Sequence, residues 1–309
     1  MKKYYFPLGF SCNENCLHCF LPMWKYHQQR NYCDLTTEEV KNILQEAKEV
    51  GVEVIALTGG EPTMRKDLTE IIKFCKKLNF DKIELQTNGK MLSYNSLAKK
   101  VVECGVTDIY PSFHTYVESL QDFITQSKGS FKASLQGLKN ILKLNVRVQT
   151  NTVISKLNYK VLDKLVTFFH KEGVREIELD FLRPAGNAWK NFNIVVPRKS
   201  EIAPYIVKAL EVAENLGFES IFVDDYPLCF MKKFKQYNAD YIAMRQGERH
   251  DEQAFGVFKN SEPVQIHKDQ KFQGQVCGNC MFNKYCEGDW KEYIEKIGWD
   301  EFNPIKCLD

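Results

Sequence analysis

Three cysteines stand within eight positions near the start of the chain, in the stretch GFSCNENCLHCF. Cys12, Cys16 and Cys19 form a C-x3-C-x2-C pattern, here called the front array, and Phe20 follows it directly. Three thiolates at this spacing suit an iron–sulfur cubane whose fourth iron has no protein ligand. Structural zinc prefers four closed ligands, so a trio without a fourth cysteine or histidine at finger spacing fits zinc poorly.

A second group of cysteines lies near the other end of the chain. Cys277, Cys280 and Cys286 form a C-x2-C-x5-C pattern, here called the back array, and Cys307 follows Cys286 by twenty-one residues. The remaining four of the eleven cysteines stand singly, at Cys33, Cys75, Cys104 and Cys229. Cys75 and Cys104 fall in helical patterns, and we expect both to be small buried hydrophobes.

Composition excludes several classes of function. The 309 residues carry 42 basic and 40 acidic side chains, a net charge of +2, so no basic surface suited to nucleic acid is indicated. No run approaches the roughly 20 apolar residues that span a bilayer, and the N-terminus lacks the apolar region of a signal peptide. A cytoplasmic protein with no membrane partner is expected. In a reducing compartment, clustered thiols are more often metal ligands than disulfides.

An alternation of strand and helix patterns must position these cysteines. Strands are predicted at about Tyr4–Phe10, Val52–Leu57, Lys82–Gln86, Asp108–Phe113, Arg147–Ile154 and Glu176–Phe181. Helices are predicted from the caps Thr36 and Thr37 to Gly51, and at Asp67–Leu78, Ser93–Cys104, Lys132–Leu144, Tyr159–Glu172 and Glu201–Leu216. Such alternation predicts a parallel sheet with crossover helices. Six β/α units fall short of a closed barrel, so the expected class is α/β, a partial (β/α)6 TIM-like barrel.

The rhythm continues to one more strand at Ser220–Val223 and then breaks up, and Lys232–Gln275 is polar. We therefore expect two domains, a barrel over 1–222 and a small iron–sulfur domain over 223–309. Near the end, a short helix is predicted at Asp289–Ile297, with Trp290 among the residues of its packed face.

The front array with its following aromatic residue resembles the signature of the radical S-adenosylmethionine superfamily. A second match follows the second strand, where LTGGEP resembles that family's GGE motif at Gly59, Gly60 and Glu61. The resemblance implies that the open iron of a [4Fe–4S] cluster chelates S-adenosylmethionine. One electron then cleaves the sulfonium to give a 5′-deoxyadenosyl radical, while the GGE residues bind the methionine amino group.

The same resemblance implies further contacts with S-adenosylmethionine. In the family, a serine after strand four and a polar residue in strand five commonly touch the carboxylate and the ribose. These positions correspond to Ser112 and Asn151. The segment FLRP after strand six resembles the stretch that lies against the adenine, which implicates Leu182.

The back array resembles the auxiliary-cluster region of SPASM domains, which occur in radical enzymes that modify peptides and proteins. The full SPASM pattern has seven cysteines that bind two clusters, and it includes C-x2-C-x5-C-x3-C. Trp290 occupies the last cysteine position of that pattern here, so a ligand of one cluster is missing. The resemblance implies a single auxiliary [4Fe–4S] cluster, held by the back array and Cys307.

Alternatives to this ligand set remain open. A four-cysteine zinc site would use the same residue types. Cys229 would replace Cys307 if the appendage is of the shorter twitch type. If Cys229 is not a ligand, it is a candidate catalytic residue that donates a hydrogen atom to a substrate radical, with Asp224, Asp225 or Tyr226 as a base or positioning group nearby.

By resemblance, the expected function is hydrogen abstraction from a peptide or protein substrate, followed by crosslinking, oxidation or epimerisation. The chemistry implies an electron donor such as flavodoxin or ferredoxin. Because no leader-binding domain precedes Tyr4, leader recognition is expected at the barrel mouth, at the C-terminal domain or on another protein. One alternative is a small-molecule radical dehydrogenase of the aminoglycoside-alcohol type, and another is a non-catalytic iron–sulfur scaffold.

Overall fold

The computed structural model describes residues 2–21, 34–246, 253–254, 264–265 and 271–307. Cys33 and most of the polar stretch between 247 and 270 lie outside the described residues. In the described part of the chain, no helix combines the length and the apolar content that crossing a membrane requires.

Seven parallel strands form one sheet in sequence order. They are β1 (Lys3–Pro7), β2 (Val54–Thr58), β3 (Lys82–Thr87), β4 (Asp108–Pro111), β5 (Arg147–Ile154), β6 (Glu176–Phe181) and β7 (Ser220–Asp224). The partial-barrel fold class is confirmed, and β7 is the further strand that was predicted at Ser220–Val223; it extends the same sheet beside β6. Because β7 ends at Asp224, the sheet runs two residues past the predicted domain boundary, which itself stays a prediction.

Helices connect successive strands. They are α1 (Thr37–Glu49), α2 (Leu68–Lys77), α3 (Asn95–Cys104), α4 (Glu118–Thr125), α5 (Ser130–Ile141), α6 (Leu162–Glu172), α7 (Gly186–Lys190), α8 (Phe192–Val195) and α9 (Lys199–Leu216). Thr36 caps α1 in a reciprocal capping box with Glu39, as the sequence indicates. The predicted helix Tyr159–Glu172 instead begins as a 3₁₀ turn at Tyr159–Val161.

Alternate faces of the strands and the inner faces of the helices build the main core. Every residue of β2 except Thr58 is buried, as expected for a strand covered on both sides. Cys75 and Cys104 are buried in this core, which confirms their predicted packing role.

The chain after β7 forms smaller elements. Two 3₁₀ segments, Leu228–Phe230 and Lys232–Tyr237, lead to the helix α10 (Ala239–Gln246). Two short two-stranded sheets follow. The first pairs β8 (Gln253–Ala254) with β9 (Val264–Gln265), and the second pairs β10 (Lys271–Phe272) with β11 (Asp289–Trp290). The last helix, α11, covers Lys291–Ile297.

The predicted helix Asp289–Ile297 starts two residues late, because its first two residues pair with β10 as a strand. Trp290 and Tyr293 are 1% and 0% exposed, so the predicted packed face is confirmed.

Candidate functional site

The front array lies in the loop that follows β1, at the carboxyl end of the sheet. The turn after β2 is hydrogen-bonded to this loop along its backbone. Gly60 donates to the carbonyl of Gly9 at 2.8 Å, and Glu61 donates to the carbonyl of Ser11 at 2.8 Å. The GGE segment therefore continues the β1–β2 pairing beyond the strands and fixes the entry to the cysteine loop.

Glycine is required at both positions of the GGE segment by close backbone contact. A Cβ on Gly59 would lie 2.4 Å from the carbonyl oxygen of Gly9, and Gly59 has a φ of +120°. A Cβ on Gly60 would lie 2.3 Å from the carbonyl oxygen of Ser11. Both contacts are shorter than van der Waals packing allows, so the glycines let two loops meet.

The carboxylate of Glu61 faces into the protein and is 3% exposed. One oxygen accepts hydrogen bonds from the Thr63 amide at 3.0 Å and the Thr87 hydroxyl at 2.6 Å, and the other accepts from the Asn88 amide at 2.6 Å. Glu61 thus ties the turn after β2 to the end of β3. Its expected contact with the methionine ammonium group stays a prediction.

Helix α7 supports the opposite flank of the cysteine loop. The side-chain amide of Asn187 donates to the side-chain oxygen of Asn15 at 2.8 Å and to the carbonyl of Cys16 at 3.1 Å. Gly186, with a φ of +56°, would place a Cβ 2.2 Å from the carbonyl oxygen of Phe20. The sequence did not predict this support, because its only sign is the pair Gly186 and Asn187 shortly after FLRP.

A buried carboxylate lies inside the front array. Glu14 accepts a hydrogen bond from the Ser130 hydroxyl at 2.6 Å and one from the Cys16 thiol at 3.5 Å, and Lys90 Nζ lies 4.0 Å away. Burial raises the pKa of Glu14 to about 7, although the Ser130 hydrogen bond opposes the shift. This network anchors the loop to the first turn of α5, and sequence spacing gave no sign of it.

Two histidine rings pack the cysteine loop against the end of β4. His18 and His114 meet edge to face with ring centroids 4.4 Å apart, and both are buried. Burial lowers the pKa of His18 to about 4 and holds the pKa of His114 well below its usual value. The two rings are therefore neutral at physiological pH and serve as packing surfaces.

The three thiols of the front array are free and half-buried on one loop. Burial raises the pKa of Cys12 to about 12 and that of Cys19 to about 11, because it disfavours the charged thiolate. Cysteine thiolates are the ligands that protein-bound iron–sulfur clusters use, so these residues fit that group.

The other residues expected to contact S-adenosylmethionine lie along the carboxyl ends of β4 to β6. Ser112 and Asn151 form a parallel bridge, which puts their half-buried side chains on the same face of the sheet. Leu182 is 1% exposed, and its amide donates to the carbonyl of Ile154 at 3.4 Å. The structure brings Ser112 and Asn151 together, and the ligand contacts of all three residues stay predictions.

A cavity near the C-terminus is lined by Cys229 and the three cysteines of the back array. Its remaining wall in the described residues is largely apolar and includes Leu228, Val276, Trp299 and Phe302. Cys307 is exposed and does not contribute to this wall. The cavity therefore gathers four cysteines, but with Cys229 in the place that the SPASM resemblance assigns to Cys307.

No group of three or more cysteine, histidine, aspartate or glutamate side chains in the described residues is arranged to hold a single metal ion. The sulfurs that ligate a cubane are spread around four irons and lie farther apart than those around one ion. The absence of a single-ion group among the described residues is therefore compatible with assigning these thiols to clusters.

The residues suggested as a base near Cys229 are engaged in structural contacts. The hydroxyl of Tyr226 donates to the carbonyl of Lys199 at 2.5 Å, and the carboxylate of Asp225 pairs with Lys271. Asp225 has a φ of +52°, and Lys199 Nζ holds its carbonyl at 3.0 Å. These side chains join β7 to α9 and β10.

The fold and the cysteine loop together define an iron–sulfur enzyme on a partial barrel. The profile of the Radical SAM superfamily matches residues 6–169, which is more than half of the chain. The protein belongs to this superfamily. Membership implies a [4Fe–4S] cluster and S-adenosylmethionine as its cofactors.

Two curated relatives of this chain are named for different enzymatic activities. The Fe-coproporphyrin III synthase of Methanosarcina barkeri is 26% identical over 93% of this chain and 72% of its own length. A probable GTP 3′,8-cyclase of Sulfurisphaera tokodaii is 32% identical over 57% of this chain. That second match spans only 54% of the cyclase, about half of its length.

Solved structures share the fold at low sequence identity. The structure titled native anSMEcpe with bound AdoMet superposes with a TM-score of 0.69 at 11% identity, over 99% of this chain and 93% of that one. Streptococcus suis SuiB bound to S-adenosylmethionine gives a TM-score of 0.59 at 15% identity, over 76% of this chain and 49% of SuiB.

Proposed function

We propose that this protein reductively cleaves S-adenosylmethionine to a 5′-deoxyadenosyl radical and abstracts a hydrogen atom from a peptide or protein substrate. Crosslinking, oxidation or epimerisation of a side chain would follow, as in the maturation of peptide natural products. When bound, the front cluster supplies the reducing electron and an open iron for the methionine group. An external electron donor such as flavodoxin or ferredoxin is then a necessary partner.

The chain's own residues have distinct parts in this proposal. Cys12, Cys16 and Cys19 hold the front cluster, and the backbone of Gly59 and Gly60 sets the position of their loop. Ser112 and Asn151 offer polar groups on one face of the neighbouring strands. The close backbone contacts of Gly59 and Gly60 support their part, and the parallel bridge between Ser112 and Asn151 supports theirs.

One observation carries the choice of a peptide substrate. The superposition with anSMEcpe covers nearly the whole of both chains, including the region that holds the back array. That protein has also been solved with AdoMet and the Kp18Cys peptide, a match that covers 98% of this chain. SuiB has been solved with its precursor peptide SuiA.

The back array supports an auxiliary [4Fe–4S] cluster as a second part of the proposal. Its three cysteines need a fourth thiolate, for which Cys229 and Cys307 are the candidates in the described chain. Bound there, such a cluster would supply an electron-transfer centre beside the barrel.

A small-molecule substrate is the second candidate, and the curated relatives favour it. Besides the Fe-coproporphyrin III synthase, the AdoMet-dependent heme synthase of Methanosarcina barkeri is 23% identical over 91% of this chain and 88% of its own length. Both names identify a tetrapyrrole product. The small-molecule alternative therefore has specific support, although of a different kind from the aminoglycoside-type alcohol oxidation expected at first.

Deuterium transfer separates the two substrate classes. Extract of the source organism grown in heavy water is dialysed into a macromolecular and a small-molecule fraction, and each is added to the anaerobic, reduced protein with unlabelled S-adenosylmethionine. The proposal predicts deuterium in 5′-deoxyadenosine with the macromolecular fraction. Deuterium from the small-molecule fraction alone would exclude a protein substrate, and Fe-coproporphyrin III, added as a pure compound, then tests the tetrapyrrole class.

A further inference from the structure

We infer that Cys229 is the fourth ligand of the auxiliary cluster, together with Cys277, Cys280 and Cys286, and that Cys307 lies outside the ligand set. The inference rests on the auxiliary cluster of the proposed function and specifies its ligands. It replaces both earlier expectations for these residues, Cys307 as a ligand and Cys229 as a hydrogen donor.

The first support is the wall of the cavity. Cys229 comes from the 3₁₀ segment Leu228–Phe230 just after β7, some fifty positions before the back array, yet it lines the same cavity as those cysteines. Cys307 is exposed, whereas Pro304, three residues earlier, still lines the cavity.

The second support is the backbone geometry of the back array. The amide of Cys277 donates to the carbonyl of Gly274 at 2.9 Å, that of Cys280 to the carbonyl of Cys277 at 2.9 Å, and that of Cys286 to the carbonyl of Phe282 at 2.9 Å. These turns hold the three back-array cysteines on the wall of the cavity that Cys229 also lines.

The third support is that the segments carrying the four cysteines are packed and hydrogen-bonded together. A small apolar core of Leu228, Phe282 and Ile305 packs directly against Cys229, Cys280 and Cys286.

Gln273 and Asn283 also bind each other through their side chains at 2.6 Å. Asn283 then donates to the carbonyl of Cys277 at 3.1 Å, and Gln273 donates to that of Cys286 at 2.5 Å. These contacts hold the segments that line the cavity together.

Two functional consequences follow from this ligand set. A cluster with four protein thiolates has no vacant iron, so it transfers electrons and does not bind substrate. A thiolate bound to iron carries no S–H hydrogen, so Cys229 does not donate a hydrogen atom to a substrate radical.

The test isolates the auxiliary cluster by replacing all three front-array cysteines with alanine. In this background, iron, labile sulfide and the EPR spectrum are measured after anaerobic reconstitution, for Cys229→Ala, Cys307→Ala and the buried-cysteine control Cys75→Ala. We expect about four irons per chain in the background, in Cys307→Ala and in the control. Cys229→Ala should fall to three irons or fewer, with the spectrum of a [3Fe–4S] cluster or none.

Other outcomes overturn the inference. If Cys307→Ala loses iron while Cys229→Ala retains it, the fourth ligand is Cys307. Full iron in both variants means that neither thiol is required. Cys229→Ser, which retains a weaker ligand atom and nearly the same volume, should hold more iron than Cys229→Ala. Equal loss in both, together with lost circular dichroism, would indicate a folding role and would also overturn the assignment.

Failure of the proposed function has a different signature. Formation of 5′-deoxyadenosine by the chain with an intact front array tests S-adenosylmethionine cleavage and does not depend on which thiol completes the second cluster. If the background protein binds no iron at all, the auxiliary cluster itself is refuted, and the inference with it.

Discussion

At the scale of single residues, Gly60 shows how strictly the cysteine loop is packed. In Gly60→Ala the added methyl group would meet the backbone of Phe10 and Ser11, whose atoms lie 2.7 and 2.3 Å from its position. Overpacking of this kind costs about 1–3 kcal/mol, and here the strain falls on the loop that carries the front array. We expect a lower free energy of unfolding and a reduced iron content at the front site.

Gly278 provides a matched control for that substitution. It lies between Cys277 and Cys280 of the back array, but a Cβ there would have no atom within 4 Å. Gly278→Ala should therefore leave both stability and iron content close to wild type. If the two alanine variants behave alike, close approach at Gly60 is not what constrains the GGE segment.

A second residue-scale prediction concerns Glu61. In Glu61→Gln one acceptor oxygen becomes an amide NH₂ that faces the donors Thr63, Thr87 or Asn88. A buried donor left without an acceptor costs about 1–3 kcal/mol, so the free energy of unfolding should fall by that order. Urea denaturation measures it, with the exposed Glu46→Gln as the control. No loss of stability would mean that the carboxylate is available to a ligand instead.

Some residues of the site could be predicted from the sequence, and others could not. The front array and the GGE segment are short patterns, so their spacing was sufficient to find them. Glu14 and Asn187 hold the same loop through partners more than a hundred positions away, Ser130 and Cys16 respectively. Contacts between residues so far apart in the chain leave no local sequence pattern. A single glutamate inside CNENC is equally consistent with an exposed loop residue.

At the scale of elements, the start of α9 depends on a carboxylate from the end of the chain. Glu301 accepts hydrogen bonds from the amide and hydroxyl of Ser200 at 2.9 and 2.6 Å, and from the hydroxyl of Tyr293. Burial alone would raise the pKa of Glu301, but these donors outweigh it and the pKa lies below its usual value. Stability from this contact is therefore present at neutral pH and is lost as the pH falls through the lowered pKa.

The substitution Glu301→Gln tests this contact between Glu301 and the start of α9. The variant should lose about 1–3 kcal/mol of unfolding free energy at pH 7, because charge-assisted hydrogen bonds are replaced by neutral ones. The difference from wild type should shrink as the pH falls well below 4, measured by denaturant titration across pH. A difference that is constant over this range would show that the charge of Glu301 does not contribute.

Elements with local signals were predicted better than elements that depend on distant pairing. The sequence of α1 contains its own cap at Thr36, and the alternating or fully apolar runs predicted all seven strands of the sheet within a few residues. By contrast, α4, α7 and α8 were not predicted, because they are short and lie in loops. Asp289 and Trp290 were assigned to a helix, since only their pairing with β10 makes them a strand.

At the scale of the whole molecule, one buried ion pair joins the barrel to the C-terminal segment. Lys199 begins α9 and is 0% exposed, and its Nζ lies 3.0 Å from a carboxylate oxygen of Asp289 in β11. Aromatic rings surround the ammonium group, with the centroid of Phe181 at 3.9 Å and that of Tyr293 at 5.2 Å. Phe181 ends β6, so this contact spans the two parts of the molecule.

Lys199→Met should be strongly destabilising, because it leaves the carboxylate of Asp289 buried without its partner. Breaking a buried pair from one side costs about 3–5 kcal/mol. Lys208→Met, on the same helix, is the control, since Lys208 is 62% exposed where it pairs with Asp163 and its loss should change stability far less. Thermal and urea unfolding compare them, and equal losses would mean that the Lys199 pair does not hold the junction.

Formation of 5′-deoxyadenosine tests whether a cluster held by the front array cleaves S-adenosylmethionine. The anaerobically reconstituted protein is reduced with dithionite, incubated with S-adenosylmethionine and assayed by mass spectrometry beside a variant with alanine at Cys12, Cys16 and Cys19. We expect 5′-deoxyadenosine from the wild-type chain and none from the variant. No product from wild-type protein that carries its full iron and sulfide would contradict this expectation.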